Sequence, residues 1–200
     1  MKAKQTERAS SERAVQISAI AARLFRERGY AAVSMREIAA QAGIRTASLY
    51  HHYGSKDDLV RKVLDTGIRR VRMAVEAALA EAGGTASPRR RLAVAVRAHL
   101  ITLHEVSDYA SANVRIFGQL PKELKTASME ERKRYEAIWS QLMQDLTPGT
   151  LERARIDSFL IGALNATLEW VNPEKDDLDT LSDSIAAMIC DGLTRGEAAR

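Results

Sequence analysis

Apolar residues recur along this chain at spacings of three and four, and nowhere do they alternate over a convincing length. Ile17, Ile20, Ala21, Leu24 and Phe25 fall at i, i+3, i+4, i+7 and i+8, one stripe of a helix over about 10–28. Gly29 follows the last turn, where a left-handed cap costs Gly least. Ser34-Met35-Arg36-Glu37 reads as a capping box, with the serine hydroxyl on the N3 amide and the glutamate reaching back. Ile38, Ala39 and Ala42 then carry a short helix over 34–41 into Gly43. A third short helix over 45–53 puts Leu49 and Tyr53 on one face, which makes them core residues, and Gly54 ends it. Ser55 with Asp58 opens a long helix to about 82, its inner face Leu59, Val63, Ile68, Val71, Val75 and Leu79. Residues 1–10 read as a flexible polar arm.

Gly83-Gly-Thr-Ala-Ser-Pro88 is the strongest loop signal. Beyond it the spacing predicts helices over 88–106, 108–118, 121–146, 150–171 and 177–195, with breaks at Pro121, Thr147-Pro-Gly149 and Asn172-Pro173. The expected fold is all-α, a three-helix head over 1–57 and a six-helix body over 58–200.

Charge changes this picture more than composition does. The net charge of +4 splits into +6 over residues 1–62 and −2 over the rest, a basic head on a near-neutral body. The single cysteine, Cys190, allows no internal disulfide and points to a reducing, cytoplasmic setting. No apolar run reaches the roughly 18–20 residues of a membrane span, and the polar start does not read as a signal peptide.

Two short helices joined at Ala42-Gly43-Ile44 suit a helix-turn-helix, whose second helix enters a major groove; a plain helical hairpin has the same outline. The residues decide between them. Gly29-Tyr30, Val33-Ser34-Met35-Arg36-Glu37-Ile38-Ala39, Ala42-Gly43-Ile44, Ser48-Leu49-Tyr50-His51-His52-Tyr53 and Ser55-Lys56-Asp57-Asp58-Leu59 resemble, in matched spacing, the N-terminal signature of TetR/AcrR-type transcriptional regulators. The resemblance implies a homodimeric repressor of double-stranded DNA with a DNA-binding head and an effector-binding body. It implies that Ser34, Ser48, Tyr50, His52 and Lys56 hold phosphates, which sets register without reading sequence. Arg36, Arg45, Thr46 and Ala47 fall where base edges are reached, arginine suiting guanine and the methyls suiting thymine. Arg45 departs from the small Ser or Thr usual there, so either Thr46 caps the helix or DNA orders its start, and Arg45 reads bases or only phosphate.

In the body, a pocket is expected among the helices from 88 to 171, with His99, Leu103, Arg115, Phe117, Gln119, Tyr135, Trp139, Met143, Asn165 and Trp170 as candidate lining residues. Val114–Pro121 and Leu160–Asn165 with Trp170 resemble a subgroup that regulates lipid, sterol and aromatic-acid catabolism, some members answering to acyl-CoA thioesters. Ile156, Phe159, Leu160, Ala163, Leu164 and Thr167 in one helix, and Leu181, Ile185, Met188 and Ile189 in the next, repeat at helical spacing. They either close the chain's own core or meet a second copy, which the smooth strip Gly162, Ala163 and Ala166 would let approach. In the family these two helices form a four-helix bundle across a two-fold axis. His99 and His104 lie five apart, not the three or four of a zinc pair, and no nucleophile or phosphate-loop motif is present. Neither a metal, a cofactor nor enzymatic activity is expected. The effector reading competes with an architectural or protein-controlled DNA binder.

Overall fold

Gly29, Gly43, Gly54, Gly83, Gly84, Pro121 and Pro173 fall between helices, Pro88 opens one, and the observed order follows from that. The computed structural model describes residues 2–106, 108–146 and 153–198, with side chains at all of these except 2–7, 9, 106, 153–157 and 193–198. The α-helices are α1 (Lys2–Arg28), α2 (Met35–Gln41), α3 (Thr46–His52), α4 (Lys56–Ala82), α5 (Pro88–Ile101), α6 (Asp108–Phe117), α7 (Lys122–Ala127), α8 (Met129–Leu146), α9 (Arg153–Ala166) and α10 (Leu178–Ala198). A π-helical turn, Thr102–Val106, follows α5, and a 3₁₀ turn, Thr167–Glu169, follows α9. Among the described residues there is no strand.

The chain divides into two compact units, Met1–Ile68 with Asp108–Met129, and Arg69–Ser107 with Glu130–Arg200. In the first unit, Ile17, Ala21 and Phe25 of α1, Ile38 of α2, Leu49 of α3, Leu59, Val63 and Leu64 of α4 and Ile116 of α6 make one buried cluster. Its polar groups are matched. Ser18 donates to the Val15 carbonyl at 2.9 Å and pairs with the Tyr109 hydroxyl at 2.8 Å. Asn113 Nδ2 donates to the Leu64 carbonyl at 2.8 Å. Gly67, a glycine in the middle of a helix, leaves room for the backbone of α6: a Cβ there would stand 2.2 Å from the Tyr109 carbonyl oxygen.

In the second unit, Leu92, Val96 and Leu100 of α5, Tyr135, Trp139, Leu142 and Met143 of α8, Leu160 and Leu164 of α9, and Leu178, Ala186 and Cys190 of α10 are buried. Surface pairs join α5 to α10, with Arg97 bidentate on Asp179 at 2.6 and 3.1 Å and Arg89 on Asp191 at 2.9 Å. Being exposed, they fix register more than they stabilise.

Four boundaries differ from the sequence expectation, one of them the helix expected to reach 171, which is α-helical only to Ala166 and ends in the 3₁₀ turn. The supposed polar arm is helical from Lys2, because Ala, Lys, Gln, Glu and Arg form helix without needing an apolar face. The helix expected over 121–146 breaks at Ser128, whose backbone (φ −103°, ψ 13°) leaves the helical region and whose amide turns back to Lys125 and Thr126. The helix expected over 88–106 is α-helical only to Ile101.

The Gly67 contact generates a test. Alanine gains roughly 1 kcal/mol over glycine inside a helix, but forcing a methyl into fixed backbone costs about 1–3 kcal/mol. At 2.2 Å the clash should win. Gly67→Ala is expected to lower the urea midpoint of unfolding, whereas Gly84→Ala, with nothing within 4 Å of the added Cβ, should not. Equal midpoints for the two variants would refute the close approach.

Candidate nucleic-acid interface and body interior

Seven residues are too few to hold a helix in water alone, so α2 and α3 depend on their caps and inner faces. Ser34 is extended (φ −108°, ψ 155°) and its Oγ accepts from the Glu37 amide at 3.2 Å. Only that half of the expected capping box forms; the Glu37 carboxylate is taken by Arg28 at the end of α1. The turn after α2 closes as a Schellman motif. Gly43, with φ +65°, donates its amide to the Ala40 carbonyl at 3.1 Å, and Ile44 donates to Ala39 at 3.0 Å. Arg45 occupies the N-cap of α3 in an extended conformation and makes no side-chain cap, and Thr46 is already helical, so neither replaces the missing Ser or Thr.

This packing decides which side chains face outward. Leu49 is fully buried, and Tyr53 turns inward to donate its hydroxyl to the Ala14 carbonyl at 2.9 Å. Ser34, Arg36, Arg45, Ala47, Ser48, Tyr50 and His51 are exposed, and Thr46 and His52 are half-buried. Tyr50 in particular remains 48% exposed, a large ring that the fold does not use.

Lys56 behaves differently from its neighbours. Its Nζ donates to the Tyr30 carbonyl at 2.6 Å and lies 4.0 Å from the Tyr30 ring centroid, while the Tyr30 hydroxyl donates to Asp57 at 3.1 Å. Burial pushes the Lys56 ammonium below its ordinary pKa, and the neighbouring Asp57 partly restores it. This lysine ties the start of α4 to the loop after α1, a task that nothing in its sequence position announced.

In the second unit the candidate pocket residues divide. His99, Tyr135 and Trp139 meet in the interior, and Leu103 is buried in the same unit. Asn165, half-buried, acts on the His99 ring. Met143 is buried as well. Arg115 and Phe117 belong instead to the first unit, with Arg115 exposed and Phe117 packed on that unit's core. Gln119 is exposed there too, and Trp170 is 62% exposed, because it follows the 3₁₀ turn that ends α9. Helical spacing alone did not reveal which neighbour each face meets. His104, missed as a structural group, hydrogen-bonds through Nε2 to Thr167 Oγ1 at 2.8 Å, and Thr167 donates to the Leu164 carbonyl.

The α9 and α10 candidates divide likewise. Leu160, Leu164 and Thr167 are at most 4% exposed and close the chain's own core. Phe159 is 78% and Met188 72% exposed, with Ala163 exposed beside the open Gly162 and with Leu181, Ile185 and Ile189 half-buried. The side chain of Ile156 lies outside the described residues. Among the described residues no group of three or more His, Cys, Asp or Glu could hold a metal ion. No helix there is long and apolar enough to cross a membrane.

Residues 17–63 match the family model of bacterial regulatory proteins of the tetR family, and residues 85–193 match the tetracyclin repressor-like C-terminal domain. The HTH-type transcriptional repressor KstR2 of Rhodococcus jostii (strain RHA1) is 29% identical over 201 residues, covering 92% of each chain. The TetR family transcriptional regulator PfmR from Thermus thermophilus has the same fold, with a TM-score of 0.74 at 23% identity over 88% of this chain and 98% of its own. AibR, solved in complex with isovaleryl coenzyme A and operator DNA, superposes with a TM-score of 0.71 at 24% identity, over 90% of this chain and 97% of its own.

The body interior predicts a pH dependence. Burial pushes the His99 imidazole from 6.5 down to about 4, Asn165 opposing and His104 adding to the fall; burial also lowers His104. A lowered folded-state pKa means that the unfolded chain takes up the proton first as pH falls. The stability is complete above about pH 6.5 and declines toward pH 4, by about 3 kcal/mol at most at roughly 1.4 kcal/mol per pH unit. Melting temperature should fall between pH 6.5 and 5, and less steeply in His99→Gln, where only His104 still contributes. A flat profile in the parent chain would mean that His99 titrates normally when folded.

Proposed function

Because the chain belongs to the tetR family of bacterial regulatory proteins, we propose that it is a homodimeric transcriptional repressor acting in the cytoplasm. It holds a pseudo-palindromic operator and is released by a small-molecule effector. The observation that carries this reading is the outward row Arg36, Arg45, Ala47, Ser48 and Tyr50, presented by two short helices whose inner faces are fully used. Arg36 and Arg45 reach base edges through guanidinium donors, and Ala47 and Thr46 offer methyls. Ser34, Ser48, Tyr50 and His52 supply phosphate contacts that set register. Lys56 contributes by fixing the start of α4, and its charge strengthens the local positive field.

The domain organisation proposed is a head over 1–57 and a body over 58–200; the compact unit that holds the head also includes residues 58–68 and 108–129. A continuous α4 connects the two, its residues to Ile68 in the first unit and from Arg69 in the second. An effector acts on operator affinity only by binding one head spacing better than the other. The named ligand of AibR, isovaleryl coenzyme A, supports an acyl-CoA or related lipid or aromatic-acid metabolite as effector class. The relatives are named as regulators, which supports a binding role and not catalysis.

Homodimerisation rests on the face of Phe159, Gly162, Ala163 and Ala166 on α9 with Ile185 and Met188 on α10. Two copies related by a two-fold axis would cover it and set recognition helices about 34–36 Å apart, one turn of DNA.

Operator binding is tested by selecting a bound sequence from random DNA and titrating variants against it. Arg36→Ala should lose discrimination at particular base pairs, roughly 1–3 kcal/mol each. Lys56→Met should weaken specific and random DNA alike while also lowering the melting temperature. Identical losses of both variants on specific and random DNA would reject base reading by Arg36. For the dimer, Phe159→Glu is expected to sediment as a folded monomer. Leu164→Asp should instead unfold the chain, since Leu164 is 1% exposed. An unchanged dimer in Phe159→Glu would remove this face from the interface.

A further inference from the structure

His99, Tyr135 and Trp139 form a buried aromatic trio in the second unit, with ring centroids 6.0–6.1 Å apart and each residue at most 2% exposed. His99 and Trp139 meet edge to face, and so do Tyr135 and Trp139. Their polar atoms are only partly satisfied. His99 Nδ1 is hydrogen-bonded to the Tyr135 hydroxyl. His99 Nε2 and Trp139 Nε1 are buried and have no hydrogen-bond partner. Asn165 lies close enough to favour a charged His99, and the Trp139 indole close enough to favour an ionised Tyr135, yet neither pair reaches hydrogen-bonding geometry.

The tautomer follows from counting orphans. If the Tyr135 hydroxyl donates to Nδ1, then Nε2 carries the ring proton, and two N–H groups lack acceptors. If Nδ1–H donates to the phenol oxygen, the phenol proton, the Nε2 lone pair and the indole N–H all lack partners. The first arrangement leaves fewer buried groups unmatched and is therefore preferred. It presents two N–H donors within one apolar cluster, and a buried donor that has lost water and gained no acceptor is unfavourable until something supplies one.

We propose that the Nε2–H of His99 and the Nε1–H of Trp139 form the polar end of a binding site in the body for an apolar molecule carrying an uncharged oxygen acceptor, such as the carbonyl of a ketone or thioester. This rests on the effector reading above and states the chemistry that the effector's buried end must have. A carboxylate or phosphate there would need a cation beside it, and burial keeps the His99 imidazole neutral at physiological pH. An aliphatic chain without an acceptor would fill space but leave both N–H groups unmatched. The π-helical turn at Thr102–Val106 begins three residues after His99, and such turns are frequent at functional sites.

Acetophenone and ethylbenzene test the inference directly, since they share ring and size and differ in the carbonyl. The chain has two tryptophans, whose indole N–H signals in nitrogen–proton correlation spectra are assigned with Trp170→Phe. The native chain is then titrated with each compound at equal concentrations. Acetophenone should move the Trp139 indole proton downfield and ethylbenzene should not, and His99→Phe should raise the acetophenone dissociation constant at least tenfold. Equal shifts with both compounds, or none with either up to the solubility of ethylbenzene, would overturn the proposal whether or not His99→Phe folds. A shift of the indole signal without release of operator DNA supports the site while refuting the effector reading.

Discussion

Two helices of seven residues each carry the exposed row of the first unit, and neither would survive in water by itself. Their existence depends on burial of Ile38, Ala39 and Leu49 into the cluster built by Ile17, Ala21 and Phe25 of α1 and by Leu59, Val60 and Val63 of α4. Burying a side chain the size of Ile38 or Leu49 contributes about 1.5–3 kcal/mol, several times what a helical pair on the surface provides. That single packing arrangement fixes the rotation of α3. With Leu49 and Tyr53 inward, Ala47, Ser48 and Tyr50 have no choice but to face out. The caps then refine what the core has decided. The Ser34 hydroxyl aligns the start of α2, while α3 begins at Thr46 with no side-chain cap from Arg45.

The same constraint explains why α6, far along the sequence, belongs with the first three helices. Gly67 lets the Tyr109 backbone approach α4, Asn113 doubles up on the Leu64 carbonyl, and Tyr109 with Ser18 forms a buried hydroxyl pair against α1. Each polar group there has a partner, so the seam between α1, α4 and α6 is specified as well as stable. A unit defined by contiguous residues would have missed this, since the chain leaves the first unit at Ile68 and returns at Asp108.

Much of this was legible in the residues because helical periodicity and capping are local. The stripes of α1 and α4, the Ser34 and Ser55 caps, the Gly43 turn and the inward Leu49 all follow from residues within about two turns of one another. What was not legible depends on partners distant in sequence. The spacing of Leu160 and Leu164 is as apolar as that of Phe159 and Ala163, and only the position of the neighbouring helices decides which pair faces inward. Arg115 and Phe117 looked like pocket residues by chemistry, yet α6 docks in the first unit. The family resemblance gives Lys56 a phosphate to hold, and only the fold shows that its ammonium also donates to the Tyr30 carbonyl. Gly67 carried a signal that could have been read, for a glycine inside a long helix is costly unless something comes close.

The second unit partitions its residues in a way that a solitary, finished domain would not. Phe159, Met188 and Trp170 stand in water at 78%, 72% and 62% exposure, while the His99 imidazole, an indole N–H and the Thr102, Thr167 and Ser182 hydroxyls lie inside. Some of the buried polar groups are accounted for locally, since Thr102 and Ser182 bond to carbonyls four residues back and Thr167 to one three back. His99 Nε2 and Trp139 Nε1 are not. Exchanging an exposed phenylalanine for a polar residue, and a buried histidine for an apolar one, would favour the isolated chain on both counts. Partners outside the chain would make both deviations favourable. The proposed second copy against α9 and α10 and the proposed acceptor-bearing ligand in the interior would answer the two requirements separately, and that independence would let operator geometry and effector sensing be set by different residues of one small body.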